Sequence, residues 1–145
     1  MIGIIVSGHG NYATGISSSV KLIAGLPEHY EMVDFVQEDS VEDLERKLNE
    51  ALDRLSDCSG ILCFTDLLGG SPFKTAVEVS FKRTEKPMVV LAGTNLGMII
   101  ECSMARNFVD DVQMLADMGV NTGKDQVYKY VFTVKEETED AEDGI

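Results

Sequence analysis

The sequence predicts an α/β fold: an open, doubly wound and mainly parallel sheet, with helices on both faces. Short apolar runs and longer amphipathic stretches alternate four times along the chain, the pattern of parallel strands joined by helical crossovers. The first run, residues 2–6, is continuously apolar, as in a strand buried on both faces. The chain has 145 residues and is 44% hydrophobic, which suits one domain with one sizeable core and leaves no room for a separate substrate domain. The expected strand order is 2-1-3-4, with an antiparallel edge strand at the C-terminal end.

The elements follow in order. Residues 2–6 are a short apolar run and the first strand. Residues 12–24 carry Ala13, Ile16, Val20, Ile23 and Ala24 at helical spacing, with Gly25 and Pro27 as the stop. Residues 32–36 are the second strand. Residues 40–56 give the clearest helix, with Val41, Leu44, Leu48, Leu52 and Leu55 on one stripe and Ser40 with Asp43 at its start, like a capping box. Residues 61–64 are the third strand. The loop Thr65-Asp-Leu-Leu-Gly-Gly-Ser-Pro72 follows, with Ser71 expected as N-cap and Pro72 as first helical residue of a helix reaching about Lys82. Residues 88–92 are the fourth strand, and helices are expected over 96–106 and 110–118. Residues 127–134 read as the closing strand. Tyr128, Tyr130, Phe132 and Val134 share one face, and Lys129 and Thr133 lie on the other. That half-polar pattern suits a sheet edge, or a strand lent to a partner subunit. The domain is expected over 1–134, with 135–145 as an acidic, disordered tail.

The charge count is 12 Lys and Arg against 25 Asp and Glu, a net of −13. This argues against nucleic acid as a partner, since phosphate backbones call for basic patches. It argues equally against a polybasic membrane contact. Six of the acids, Glu136, Glu137, Glu139, Asp140, Glu142 and Asp143, lie in the last eleven residues, where Lys135 is the one base. The three cysteines, Cys58, Cys63 and Cys102, form no C-x-x-C pair, which points to a reducing compartment. No basic leader, no signal-peptide core and no apolar run near ~20 residues is present. A cytoplasmic protein is expected.

Histidine is scarce, with two in the chain. That leaves few candidates for imidazole chemistry and no His-rich metal site. His29 lies in a polar connection and reads as a surface residue. In a 2-1-3-4 sheet, ligands bind beyond the carboxyl ends of strands one and three, where the strand order reverses. His9 follows strand one in Ser7-Gly-His-Gly-Asn11, and Asp66 follows strand three. The two are expected to face each other. A carboxylate that accepts from one ring N–H fixes the tautomer and leaves the other nitrogen as a directed lone pair, a nucleophile or base. Gly8 and Gly10 let backbone N–H groups approach a ligand before one helix. Gly69, Gly70 and Ser71 do so before another. Two helix N-termini around one imidazole suit a phosphoryl group rather than a cation.

These segments resemble the mannose-family enzyme IIA proteins of the phosphoenolpyruvate-dependent sugar phosphotransferase system (PTS). The resemblance rests on Ser7-Gly-His-Gly10 and Phe64-Thr-Asp-Leu-Leu-Gly-Gly-Ser-Pro-Phe73, with Ala92-Gly-Thr-Asn-Leu96 and Met104-Ala-Arg106 in support. It covers about residues 1–134. It implies that His9 accepts phosphate from the histidine-containing phosphocarrier protein and passes it to a IIB component, itself working with IIC and IID membrane subunits. Asp66 matches the carboxylate that orients the imidazole, and Ser71 a hydroxyl close to the phosphoryl group. Gly10 and Gly70 are the accompanying phosphate-binding positions. The resemblance also implies a homodimer that exchanges an edge strand, which would suit 127–134. It implies no cofactor or metal, a IIB component on a separate polypeptide, and contact with the membrane only through the transporter. Asn11 and Leu68 stand where some mannose-type members carry tryptophan, and this chain has none.

Three other readings compete. A phosphoryl-acceptor subunit of a dihydroxyacetone kinase system shares the fold and the histidine. Gly8-His-Gly-Asn-Tyr-Ala13 satisfies G-x-G-x-x-A, so a small nucleotide-binding domain is a second alternative, with Asp34 as ribose contact. A Ser71–His9–Asp66 hydrolase is the third, although the G-x-S-x-G elbow is missing.

Overall fold

The computed structural model describes residues 1–134; the expected acidic tail, 135–145, lies outside them. The elements are β1 (Ile2–His9), α1 (Tyr12–Ala24), β2 (Tyr30–Phe35), α2 (Val41–Arg54), β3 (Gly60–Thr65), α3 (Ser71–Lys82), β4 (Met88–Leu91), α4 (Leu96–Ala105) and α5 (Val112–Gln126). The four strands form one sheet in the order β2-β1-β3-β4, and every neighbouring pair is parallel. The expected order and helical flanks are therefore present.

The sheet is buried on both faces, which explains its continuous apolar runs. On one face Ile2, Ile4, Val6, Leu62 and Phe64 pack with Ala13 and Val20 of α1, Ile99 and Cys102 of α4, and Leu115 of α5. On the other, Ile5, Ile61 and Cys63 meet Leu44, Leu48 and Ala51 of α2 and Ala76 and Val79 of α3. Each fully buried Leu or Ile contributes roughly 1.5–3 kcal/mol relative to an exposed one. The α2 capping box forms as expected: Ser40 Oγ accepts from the Asp43 N–H at 3.1 Å, and the Asp43 carboxylate accepts from the Ser40 N–H at 2.9 Å.

Three expectations need correction. Residues 127–134 form no strand in this chain and are exposed. Their alternation describes the faces a strand would have. A strand also requires a neighbour to take its backbone hydrogen bonds, and here the segment pairs with no edge of its own sheet. Secondly, the final helix runs on to Gln126 rather than stopping at 118. Gly119 and Gly123 sit inside it because α4 packs close. A Cβ on Gly119 would stand 2.9 Å from Cys102 Sγ, and one on Gly123 2.4 Å from Met98 Sδ. Thirdly, the N-cap of α3 is Gly70, and no side chain caps it; Ser71 is already the first helical residue.

Candidate functional site

β1 continues past Val6 to His9, because β2 pairs with it to the end, while β3 pairs with it as far as Ser7. Its central position places Ser7 opposite Thr65 of β3 and His9 opposite Phe35 of β2. Asp66 is the first residue past β3, at the point where the strand order reverses. Its Oδ2 accepts from the His9 backbone N–H at 2.9 Å and lies 2.8 Å from His9 Nδ1. Its Oδ1 accepts from the Leu67 N–H at 2.8 Å. Partial burial raises the Asp66 pKa, but these hydrogen bonds from His9 and Leu67 outweigh it and hold the carboxyl below its ordinary value. An ionised carboxylate only accepts, so Nδ1 carries the proton and Nε2 presents its lone pair. The imidazole is half exposed and the carboxylate largely enclosed.

The surroundings fix the ring further. The Phe35 ring meets it edge-on, with centroids 6.1 Å apart and planes at 63°. Gly70 lies against its other side, where a Cβ would stand 2.7 Å from His9 Cε1 and 3.4 Å from Nε2. An open depression of about 350 Å³ lies beside His9, walled by Phe35, Val36, Gln37 and Asp39. Asp39 accepts from Lys47 Nζ at 2.7 Å, and this bond above all lowers its pKa.

The backbone donors near the ring are not all free. The Gly10 N–H donates to Phe35 O at 2.7 Å, and the Gly70 N–H to Leu67 O at 3.0 Å. Asp34 takes the N-terminus of α1, accepting from the Thr14 N–H at 3.0 Å and the Thr14 hydroxyl at 2.7 Å. An internal carboxylate thus caps the helix that was expected to face an anion, and Asp34 is not presented as a ribose contact. At α3 the Lys74 N–H goes to Gly70 O and Pro72 has no N–H, which leaves the amides of Ser71 and Phe73 as the donors without an intrahelical partner. No hydrogen bond joins Ser71 to His9 among the described residues, so the third member of a hydrolytic triad is not in place.

Sequence reasoning missed Tyr12. Its ring lies where a Cβ on Gly8 would be, 2.5 Å away, and its hydroxyl donates to Thr94 O at 2.7 Å. The loop at Thr94 is tied to the strand carrying Asp66, through Gly93 N–H to Asp66 O at 3.1 Å and Thr94 N–H to Thr65 O at 3.2 Å. Burial, with the Asp66 charge second, pushes the Tyr12 pKa up to about 12. Tyr12 has the look of a core aromatic at the start of a helix, and only its contact across 82 residues to Thr94 reveals the tie.

The family profile EIIA-man, described as "PTS system fructose IIA component", matches residues 3–120. The chain belongs to this family of enzyme IIA components. It is 31% identical over 126 residues to the PTS system mannose-specific EIIAB component of Escherichia coli, covering 87% of this chain and 38% of that one. It therefore spans well under half of that relative. The PTS system fructose-specific EIIA component of Bacillus subtilis is 30% identical over 101 residues, 70% of this chain and 68% of the relative. Among solved structures, the phosphotransferase system component EIIA of Streptococcus agalactiae superposes with a TM-score of 0.83 at 35% identity, covering 89% of this chain and 97% of that one. The mannose/sorbose-specific IIA subunit of Enterococcus faecalis gives 0.81 at 25% identity, covering 92% and 98%. The enzyme IIA fold brings His9 and Asp66 into contact, with Gly70 against the ring. Among its described residues no helix is long and apolar enough to cross a membrane.

Proposed function

We propose that this enzyme IIA chain is a phosphoryl relay of a sugar PTS, with His9 Nε2 as the atom that carries the phosphoryl group. The observation that carries the reading is the Asp66–His9 Nδ1 contact at 2.8 Å, which commits one ring nitrogen and leaves the other without a hydrogen bond among the described residues. In the first step the Nε2 lone pair attacks the phosphorus of a phosphohistidine on the phosphocarrier protein. The carrier's N–P bond breaks and its electron pair returns to the carrier's imidazole. His9 keeps its Nδ1 proton, so the phosphorylated ring gains positive charge, which the Asp66 carboxylate offsets. The second step is the same displacement, with a nucleophile of a IIB component as acceptor and His9 as leaving group.

Ser71 supports the phosphoryl group as the first residue of α3, where the positive end of the helix dipole and the Ser71 and Phe73 amides favour an anion. Gly10 and Gly70 act here by shape rather than by their engaged amides. Gly10 takes the left-handed φ of +59° that turns the chain from β1 into α1, and Gly70 leaves room for the ring. The working partners are the phosphocarrier, IIB and, through IIB, the IIC and IID membrane subunits, at the cytoplasmic side. β4 is an open sheet edge, and 127–134 exposes Val127, Tyr128, Tyr130, Phe132 and Val134. Strand exchange with a second copy would satisfy both.

Incubation with phosphoenolpyruvate and the two general phosphotransferases should give one acid-labile phosphate per chain, with a phosphohistidine signal in ³¹P NMR. His9→Ala should give none. Equal labelling of that variant would overturn the reading.

A further inference from the structure

At the opposite pole of the sheet, a buried arginine has no counter-ion among the described residues. Arg106 follows α4 and is 3% exposed. It makes no ion pair among the described residues. Its Nη1 donates to Ile2 O at 2.8 Å and His29 O at 3.2 Å, and its Nη2 donates to Glu28 O. A guanidinium has five N–H donors. Three are used, which leaves the Nε hydrogen and one Nη2 hydrogen. Nε is buried without an acceptor, and so is the hydroxyl of Ser103, one turn earlier on the same helix. Buried polar groups of this kind are ordinarily paired. Burial also holds the Arg106 pKa below its ordinary value.

Arg106 and Ser103 both line an open depression of about 400 Å³, whose other walls include Ala24, Leu26, Pro27 and Met104. We infer that this depression is a second ligand site, which receives the carboxylate of a small organic acid with an apolar body. Two guanidinium donors remain, and a carboxylate accepts from such a pair through its two oxygens. The Ser103 hydroxyl adds a third donor, and the aliphatic walls suit the body. Glu28 also lines the depression, and the chain carries a net −13. A singly charged head therefore meets less repulsion than a phosphate dianion. Arg106 holds Ile2 at the start of β1, while His9 ends that strand, roughly 23 Å away at ~3.3 Å per residue. The site is thus independent of the relay chemistry.

Phenylacetate titrated into the full ¹⁵N-labelled chain tests this. Saturable shifts are expected at the Arg106 Nε–H and at the amides of 24–26, 28 and 103–107, with 9–11 and 66–71 unmoved. Phenylacetamide, of the same shape but neutral, should bind at least about tenfold more weakly, the effect expected of losing a hydrogen-bonded charge. Ser103→Ala should weaken phenylacetate several-fold while the fold stays intact, and His9→Ala should bind it normally. Absence of saturable shifts at the Arg106 pole would overturn the inference. Equal binding of the amide, or of Ser103→Ala, would do the same.

Discussion

Asp66 holds His9 by two atoms with one oxygen: Oδ2 takes the backbone N–H at 2.9 Å and the ring Nδ1 at 2.8 Å. The backbone bond fixes where the carboxylate stands, and the ring bond then fixes the tautomer. Asp66→Asn should test the charge behind this geometry. With the amide oxygen in the place of Oδ2 both bonds to His9 are kept, the amide NH₂ is set against the Leu67 N–H, and the negative charge that offsets the phosphorylated ring is gone. Phosphoryl transfer is expected to fall by about 100-fold or more, with stability lowered by no more than about 1–3 kcal/mol. Rapid-quench transfer assays and thermal melts measure the two separately.

The same contact sets a pH dependence. The Asp66 pKa is depressed in the folded chain, so its contribution to stability is full above the unfolded carboxyl value near 4. It is lost as pH falls through the lower, folded value. A ¹³C carboxyl titration should find Asp66 still ionised where free aspartate is half protonated. Asp66→Asn should flatten the matching part of the acid unfolding curve.

Gly70 has an ordinary extended backbone, with φ −75° and ψ 169°, so alanine is permitted there by conformation. The added methyl would stand 2.7 Å from His9 Cε1 and push aside a ring that Asp66 pins. Gly70→Ala should therefore melt close to the parent yet transfer phosphate about 100-fold more slowly, the scale of a ~1 Å misplacement. Wild-type transfer rates in this variant would show that the ring has room to move.

Two helical glycines should respond with opposite signs. Gly15, in α1, has open space where a Cβ would be, so Gly15→Ala should stabilise by about 0.5–1 kcal/mol. Gly123, in α5, would drive a Cβ to 2.4 Å from Met98 Sδ. Gly123→Ala should destabilise by about 1–3 kcal/mol through overpacking. Urea unfolding of both variants decides the signs.

Tyr12→Phe removes one hydroxyl and with it the bond to Thr94 O. A loss of about 1 kcal/mol is expected, together with faster hydrogen exchange at the Gly93 and Thr94 amides, which hang on the strand carrying Asp66.

The sheet was legible because its central strands, β1 and β3, are buried along almost their whole length and show as apolar runs. The strand order then placed His9 beside Asp66 without any reference to contacts. What stayed hidden depends on distant partners. Gly119 and Gly123 look like a helix stop and are instead places where α4 comes close. The apolar alternation of 127–134 records a preference for being a strand, and no neighbour for it stands among the described residues. Asp34 sits where a ligand contact would, and only the fold shows that it caps α1. Gly10 and Gly70 stood out as amide donors, whereas their own amides are already bonded to carbonyls of the chain.

β1 is buried along seven of its eight residues, and His9, the eighth, is exposed. A phosphoryl group on Nε2 would stand open to water beside the N-terminus of α3, on a central strand of the sheet. Its lifetime would then be set by the intrinsic hydrolysis of the N–P bond rather than by enclosure, so each charged molecule carries a clock. Throughput would depend on meeting the next carrier before that clock runs out, and the immobile mount makes every such meeting geometrically the same.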